Sequence, residues 1–249
     1  MKIIVCVSLV PDTTTKIKIG GTNKSIDENG VSFVLNPYDE YAVEEAVQLK
    51  EKNGGEVIAV SFGTDKSKEA IKKAFQMGAD KGFLIKSKDN DFDTYTVATN
   101  LADFIKSQSA DLIFFGKQSI DFDGQSLPVM VGELTNIPAV NIVIKLDING
   151  NEVVAEREIE GGKEIIVTSL PAIIGTQKGI NNPRYPNLKS IMASKSKPIT
   201  EIEPTPINKL ADITKMHLPS VKSKGKILDG GAASVPELVK LLREEAKVI

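Results

Sequence analysis

The sequence predicts an α/β protein: a doubly wound, mostly parallel sheet with an antiparallel addition and an extended C-terminal arm. Three observations predict it. Short continuous apolar runs alternate with amphipathic helical patterns up to about residue 135, three strand-like runs then follow without long helices, and beyond residue 196 both periodicities fade.

The runs at 3–7 (IIVCV), 56–62 (EVIAVSF), 82–85 (GFLI) and 111–115 (DLIFF) have the character of strands covered on both faces. Between them, the segment 38–51 places Ala42, Val43, Ala46 and Val47 on one helical face. The segment 66–77 does the same with Ala70, Ile71, Ala74 and Phe75 before Gly78 supplies a stop. Val97, Ala98, Leu101, Ala102 and Ile105 repeat that spacing in 94–106, and a further helix is expected to hold Leu127 to Leu134. This alternation implies a Rossmann-like sheet with helices on both faces, and ligands then bind beyond the carboxyl ends of the strands.

From residue 139 the runs 140–146, 152–157 and 164–170, separated by ING at 148–150 and EGG at 160–162, read as antiparallel strands. PAIIGT at 171–176 is expected to close the sheet, and the proline-, asparagine- and lysine-rich residues that follow to 195 read as an exposed loop built for recognition. KSKPITEIEPTPI has neither period and is expected to run extended, which puts an α/β domain at 1–200 and an arm at 201–249. The arm ends in a helix at 235–246, where Ser234 and Glu237 have capping-box spacing ahead of Leu238, Val239, Leu241 and Leu242. Such a helix needs a surface to pack on, in its own domain or on a partner subunit.

Composition excludes several function classes. The 249 residues are 41% hydrophobic and 26% charged, and 31 basic against 33 acidic residues leave a net charge of −2, with no basic surplus for nucleic acid. The single cysteine, Cys6, has no internal disulfide partner and sits in an apolar run, which fits a reducing, cytoplasmic setting. MKIIVCVSLVPD lacks a cleavage site and reads as a first strand. No run approaches the roughly 18 apolar residues of a membrane span, so no direct membrane insertion is expected.

Two segments are candidates for chemistry. GKQSIDFDGQS, from Gly116 through Lys117, Gln118, Ser119, Ile120, Asp121, Phe122, Asp123, Gly124 and Gln125 to Ser126, lies between a strand and a helix. Free helix-start N–H groups there can hold an anion, although spacing alone equally fits an ordinary capped loop. Asp121 and Asp123 repel a phosphate unless they cap the helix or face ribose hydroxyls. In NPYDEYAVEEA, Asn36 suits a helix N-cap and Pro37 the first helical position. Tyr38 is placed to stack on a ring or to cover the helix end, and Asp39 follows it. Neither G-x-x-x-x-G-K-[ST] nor a G-x-G-x-x-G after the first strand is present. His217 is the only histidine, so neither a Ser-His-Asp triad nor a multi-histidine metal site is expected. Glu156, Arg157, Glu158 and Glu160 read as the wet face of a strand. No catalytic residue and no metal site is assigned.

AEREIEGGKEI at 155–165, followed by PAII at 171–174, resembles the beta subunit of the electron transfer flavoproteins. Further matches are NPYDEYAVEEAVQLKE at 36–51, EVIAVSFG at 56–63, MGAD at 77–80, LIFFGKQSIDFD at 112–123 and NNPRYPNLKSIMASK at 181–195, while Gly175 departs from the small residue expected there. The resemblance covers about residues 1–200. It implies an electron carrier without bond chemistry of its own, paired with an alpha subunit that holds most of a redox-active FAD. It also implies a structural AMP in the 1–200 domain, held by Cys6, Asn36 to Asp39, Phe62 and Gly116 to Ser126, with Tyr38 near the flavin ring.

By the same resemblance Leu188 is the anchor that docks partner dehydrogenases, supported by Tyr185, Ile191 and Met192. The donors are acyl-CoA or other flavin dehydrogenases, as in fatty acid beta-oxidation, and the acceptor is a quinone oxidoreductase. VPDT at 10–13 is similar instead to bifurcating members that hold a second FAD in place of AMP. The rival from another class is an adenine-nucleotide-dependent enzyme of the same architecture. That enzyme needs a glycine-rich pyrophosphate loop near the N-terminus, and VSLVPDTTT at 7–15 contains no glycine. A stress-type nucleotide-binding module leaves the 171–195 segment unexplained.

Overall fold

In the computed structural model, residues 1–221 and 224–249 are described, and they form two compact units, Met1–Lys215 and Met216–Ile249. Residues 222 and 223 of the expected arm lie outside the described residues.

The first unit is built on a nine-stranded sheet. Its strands are β1 (Lys2–Cys6), β4 (Glu56–Gly63), β5 (Lys81–Lys86), β6 (Leu112–Gly116), β7 (Ala139–Asn149), β8 (Glu152–Ile159), β9 (Gly162–Ser169), β10 (Ala172–Thr176) and β11 (Ile199–Ile202). They lie in the order β11-β5-β4-β1-β6-β10-β7-β8-β9. A small antiparallel pair, β2 (Leu9–Pro11) and β3 (Phe33–Leu35), follows β1.

Strands β1, β6 and β10 have apolar side chains on both faces because helices cover both faces. α1 (Pro37–Asn53) and α2 (Lys68–Met77) bury the expected Ala42, Val43, Ala46, Val47, Ala70, Ile71, Ala74 and Phe75 on one face. α3 (Thr94–Gln108) and α4 (Leu127–Thr135) bury Ala98, Leu101, Ile105 and Val131 on the other.

The structure corrects the sequence reading at several points. PAIIGT, expected to close the sheet, fills its centre. β10 inserts between β6 and β7, parallel to both, so the hairpin strands β7, β8 and β9 extend outward from it. Residues 199–202, expected to run extended in the arm, form an edge strand parallel to β5; their neighbours supply backbone pairing that alternation does not reveal. The expected loop at 181–195 contains a two-turn helix, α5 (Leu188–Ser194), capped by Asn187 Oδ1, which accepts from Ser190 N at 2.9 Å. The capping box at Ser234 is absent. Ser234 is helical, ends a short 3₁₀ turn and makes no side-chain cap bond ahead of α6 (Val235–Glu244), because Gly231–Ser234 is already coiled.

Asp93 caps α3 with Oδ1, which accepts from Thr96 N at 2.8 Å and from Thr96 Oγ1 at 2.7 Å. Its Oδ2 holds the chain after β11 by accepting from Leu210 N at 2.7 Å and Ala211 N at 2.9 Å. Burial raises the Asp93 carboxyl, but these bonds outweigh it and hold the group at about 2. A carboxylate depressed on folding contributes stability that is present above its ordinary range and is lost as pH falls toward 2. Asp93→Ala should therefore cost about 1 kcal/mol from the cap alone and raise amide exchange at Leu210 and Ala211. Unchanged exchange there would show that the strap does not depend on Asp93.

Candidate functional site

The chain leaves β1 toward β4 on one side and later returns to β6 on the other, so the topology reverses between β1 and β6. Ligand crevices of open α/β sheets form beyond the strand ends at such a point. A crevice of about 500 Å³, counting its open mouth, lies there. Val60 and Phe62 of β4, Val97 and Leu101 of α3, Phe115 of β6, and Leu127 and Pro128 of α4 give it apolar walls. Ser8, Asn36, Asp39 and Gly116 supply polar groups, and Gln118, Ser119 and Gly124 border it from the loop after β6.

Asp39 organises this end of the sheet. Its Oδ2 accepts from Ser8 N and Ser8 Oγ, both at 2.8 Å, and its Oδ1 accepts from Asn36 Nδ2 at 2.8 Å and Gly116 N at 3.1 Å. One carboxyl thereby ties the start of α1 to the ends of β1 and β6. Burial pushes that carboxyl up to about 6, against the pull of the same hydrogen bonds. Burial, with the Asp39 charge adding to it, also raises the thiol of Cys6 well above its usual range, so Cys6 stays protonated as part of the wall.

Asn36 occupies the N-cap position expected of it, with Pro37 at the start of α1, but its side chain makes no cap bond. Its Nδ2 instead donates to Asp39 Oδ1 and to the Gln118 carbonyl at 2.9 Å, which fixes the amide orientation. Its Oδ1 is buried without a hydrogen-bond partner.

The loop after β6 is braced internally. Gln118 Nε2 donates to Asp123 Oδ1 at 2.9 Å, and Phe122 N donates to Asp121 Oδ1 at 2.9 Å, with Ser119 Oγ as a second donor to that oxygen. Both aspartates are thus engaged in loop structure. Asp121, Phe122, Asp123, Gln125 and Ser126 are exposed, Ile120 is half-buried, and Ser126 precedes α4 without a side-chain cap bond. The N–H groups that open α4 remain available to an anion.

Of the residues assigned from sequence, Cys6, Asn36, Asp39, Phe62, Gly116, Gln118, Ser119 and Gly124 line the crevice. Tyr38 does not; its ring lies 5.0 Å from Lys117 Nζ in a cation–π contact. Pro37 and the other loop residues are adjacent without lining it. The proposed docking residues lie in a separate segment, where Tyr185 is 96% exposed, Leu188 73% and Met192 64%, while Ile191 is half-buried.

Sequence reasoning missed Ser8, Val97, Leu101, Leu127 and Pro128, and it missed Asn141. Ile142 has φ of 65°, a conformation that β-branched residues avoid, and the register of β10 against β7 shifts between Ile174 and Thr176. At this bulge Asn141 Nδ2 donates to the carbonyls of Lys117 at 3.1 Å and Gln125 at 3.3 Å, gripping both ends of the site loop. A Cβ on Gly175 would overlap Asn141 Oδ1, so a glycine there admits the Asn141 side chain.

Among the described residues no cluster of three or more His, Cys, Asp or Glu is placed to hold a metal, and no helix is long and apolar enough to cross a membrane.

The sequence profile of the electron transfer flavoprotein domain matches residues 24–207. The chain is 40% identical to the electron transfer flavoprotein subunit beta of Bacillus subtilis (strain 168), covering all of both chains. It is 36% identical to the subunit beta of Syntrophomonas wolfei over all of this chain and 98% of that one. Identity to the mitochondrial subunit beta of Arabidopsis thaliana is 34%, again over the full length of both. With a crevice at the switch point of its sheet and likeness running the length of the chain, this protein belongs to the electron transfer flavoprotein beta-subunit family.

Proposed function

We propose that this chain is the beta subunit of a heterodimeric electron carrier, that it binds AMP in the β1/β6 crevice, and that it docks dehydrogenases through the Leu188 segment. The observation that carries the nucleotide reading is the chemistry of the crevice. Its apolar walls suit a planar ring, and the uncapped start of α4 offers N–H groups to a phosphate. Asp121 and Asp123 are occupied within the loop, which lessens their opposition to that phosphate.

In this reading Asp39 holds the two strand ends and the helix start in register while Cys6 and Phe62 exclude water from the ring. FAD, held mainly by the alpha subunit, supplies the redox chemistry when bound. The beta chain contributes no bond chemistry, and Tyr38, paired with Lys117, would lie near the flavin ring. Leu188 docks acyl-CoA or other flavin dehydrogenases, and a quinone oxidoreductase accepts the electrons. Val235, Leu238 and Val239 of α6 are exposed apolar side chains that the alpha subunit would cover.

Co-expression with the alpha subunit tests the assignment: the complex should be yellow, and heat-released nucleotides should chromatograph as one FAD and one AMP. Two FAD and no AMP would establish the bifurcating arrangement instead. Leu188→Ala should raise the apparent KM of a partner dehydrogenase for the carrier while the flavin content stays the same.

A further inference from the structure

The segment that presents Leu188 is fastened at its root to one face of α1. Arg184 Nε and Nη2 donate to Glu44 Oε2 at 2.8 Å and Oε1 at 3.0 Å, and the Arg184 backbone N donates to Glu44 Oε2 at 3.0 Å. Nη1 and Nη2 reach Glu51, at 2.6 Å to Oε1 and 2.9 Å to Oε2. Three residues earlier, Asn181 Nδ2 donates to Glu45 Oε2 at 2.8 Å and to the Tyr41 carbonyl at 3.0 Å.

Resting on the docking reading above, we propose that Arg184 is a positioning residue for electron-transfer docking, its guanidinium clamped by Glu44 and Glu51 so that Tyr185, Leu188 and Met192 form a preformed surface. The clamp is costly to build. Glu44 is buried, and burying a carboxylate for an ion pair adds little to stability compared with an apolar contact; what it fixes is geometry. Two bidentate pairs on carboxylates two helical turns apart leave the guanidinium one orientation, which lysine cannot reproduce. Tyr185 is the next residue, and α5 begins at Leu188, so orientation set at Arg184 passes directly to the exposed side chains. Ordering them in advance removes that entropy cost from docking. Because α1 also carries Asn36 and Asp39 at its other end, the same helix sets the docking surface relative to the crevice.

The test is flavin reduction in the assembled heterodimer by a partner acyl-CoA dehydrogenase, measured against carrier concentration. Arg184→Gln and the pair Arg184→Gln/Glu44→Gln, which strands no buried charge, should each raise the apparent KM for the carrier about tenfold, with flavin content unchanged and kcat moved less than about twofold. Arg184→Lys should not restore the KM. Adding Leu188→Ala to Arg184→Gln should raise KM by less than the product of the single effects, since both act on one surface. If Leu188→Ala raises KM but the Arg184 variants do not, the clamp is rejected and the docking reading stands. Multiplicative effects would also reject positioning. If Leu188→Ala has no effect, the docking reading itself fails.

Discussion

Gly116→Ala is expected to destabilise the chain by about 3 kcal/mol and to abolish the nucleotide binding proposed for the crevice. The added methyl would overlap Asp39 Oδ1 and lie 2.7 Å from both the carbonyl carbon and Cβ of Tyr38. Two of those neighbours cannot swing aside: one is backbone at the start of α1, and the other is a carboxyl held by donors from three segments. Accommodating the methyl means lifting α1 from β6, which breaks the Gly116 N–H bond to Asp39 and opens the site. Urea denaturation of Gly116→Ala against Gly21→Ala, whose added Cβ meets nothing within 4 Å, isolates the effect. A Gly116→Ala protein as stable as the Gly21→Ala protein, with nucleotide retained, would show that α1 has freedom the contacts deny.

Between about pH 4 and pH 6 the wild-type chain should lose about 3 kcal/mol of stability that Asp39→Asn does not lose. Burial holds the Asp39 carboxyl at about 6 in the folded chain, above its ordinary value of 3.8. The folded state therefore binds more protons than the unfolded state in that window, and stability falls as pH rises through it before levelling off. Burial raises Glu40 and Glu45 too, while hydrogen bonds from Arg184 hold Glu51 down and outweigh burial at Glu44. The total slope mixes both signs. The difference between wild type and Asp39→Asn removes the shared contributions, and urea midpoints at pH 4, 5, 6 and 7 measure it. A difference that does not vary with pH would mean that the hydrogen bonds to Asp39 fully offset its burial.

The elements most legible in the sequence were those whose environment imposes a simple pattern. β1, β4, β5 and β6 are covered on both faces and read as unbroken apolar runs, and α1 to α3 bury the stripes their spacing marks. β11 is not legible because it is a short edge strand, ITEI, too brief to show a period, and only pairing with β5 makes it a strand. The neighbours of β10 are not legible locally, because long-range packing puts Ala172 opposite Leu112. For α5 the sequence carries a signal, Asn187 three residues before Ser190, but the prolines around it mask the helix start.

At the site, the resemblance located residues on strand ends and loops, while Val97 and Leu101 looked like ordinary core positions of a helix, indistinguishable by period from their neighbours. Asn141 is further still from view. Its role depends on a bulge with Ile142 at positive φ, and an isoleucine gives no local warning of that conformation.

The central position of β10 also sets an order of events during synthesis. β7, β8 and β9 emerge before it, yet they can join the sheet only through it, since β7 pairs with β10 and not with β6. Until residue 176 is available, β6 presents an unpaired apolar edge and the hairpin strands wait beside an open slot. Completion of the sheet is thus a late, nonlocal step, and the slot filled last lies directly beside the strand that ends in Gly116.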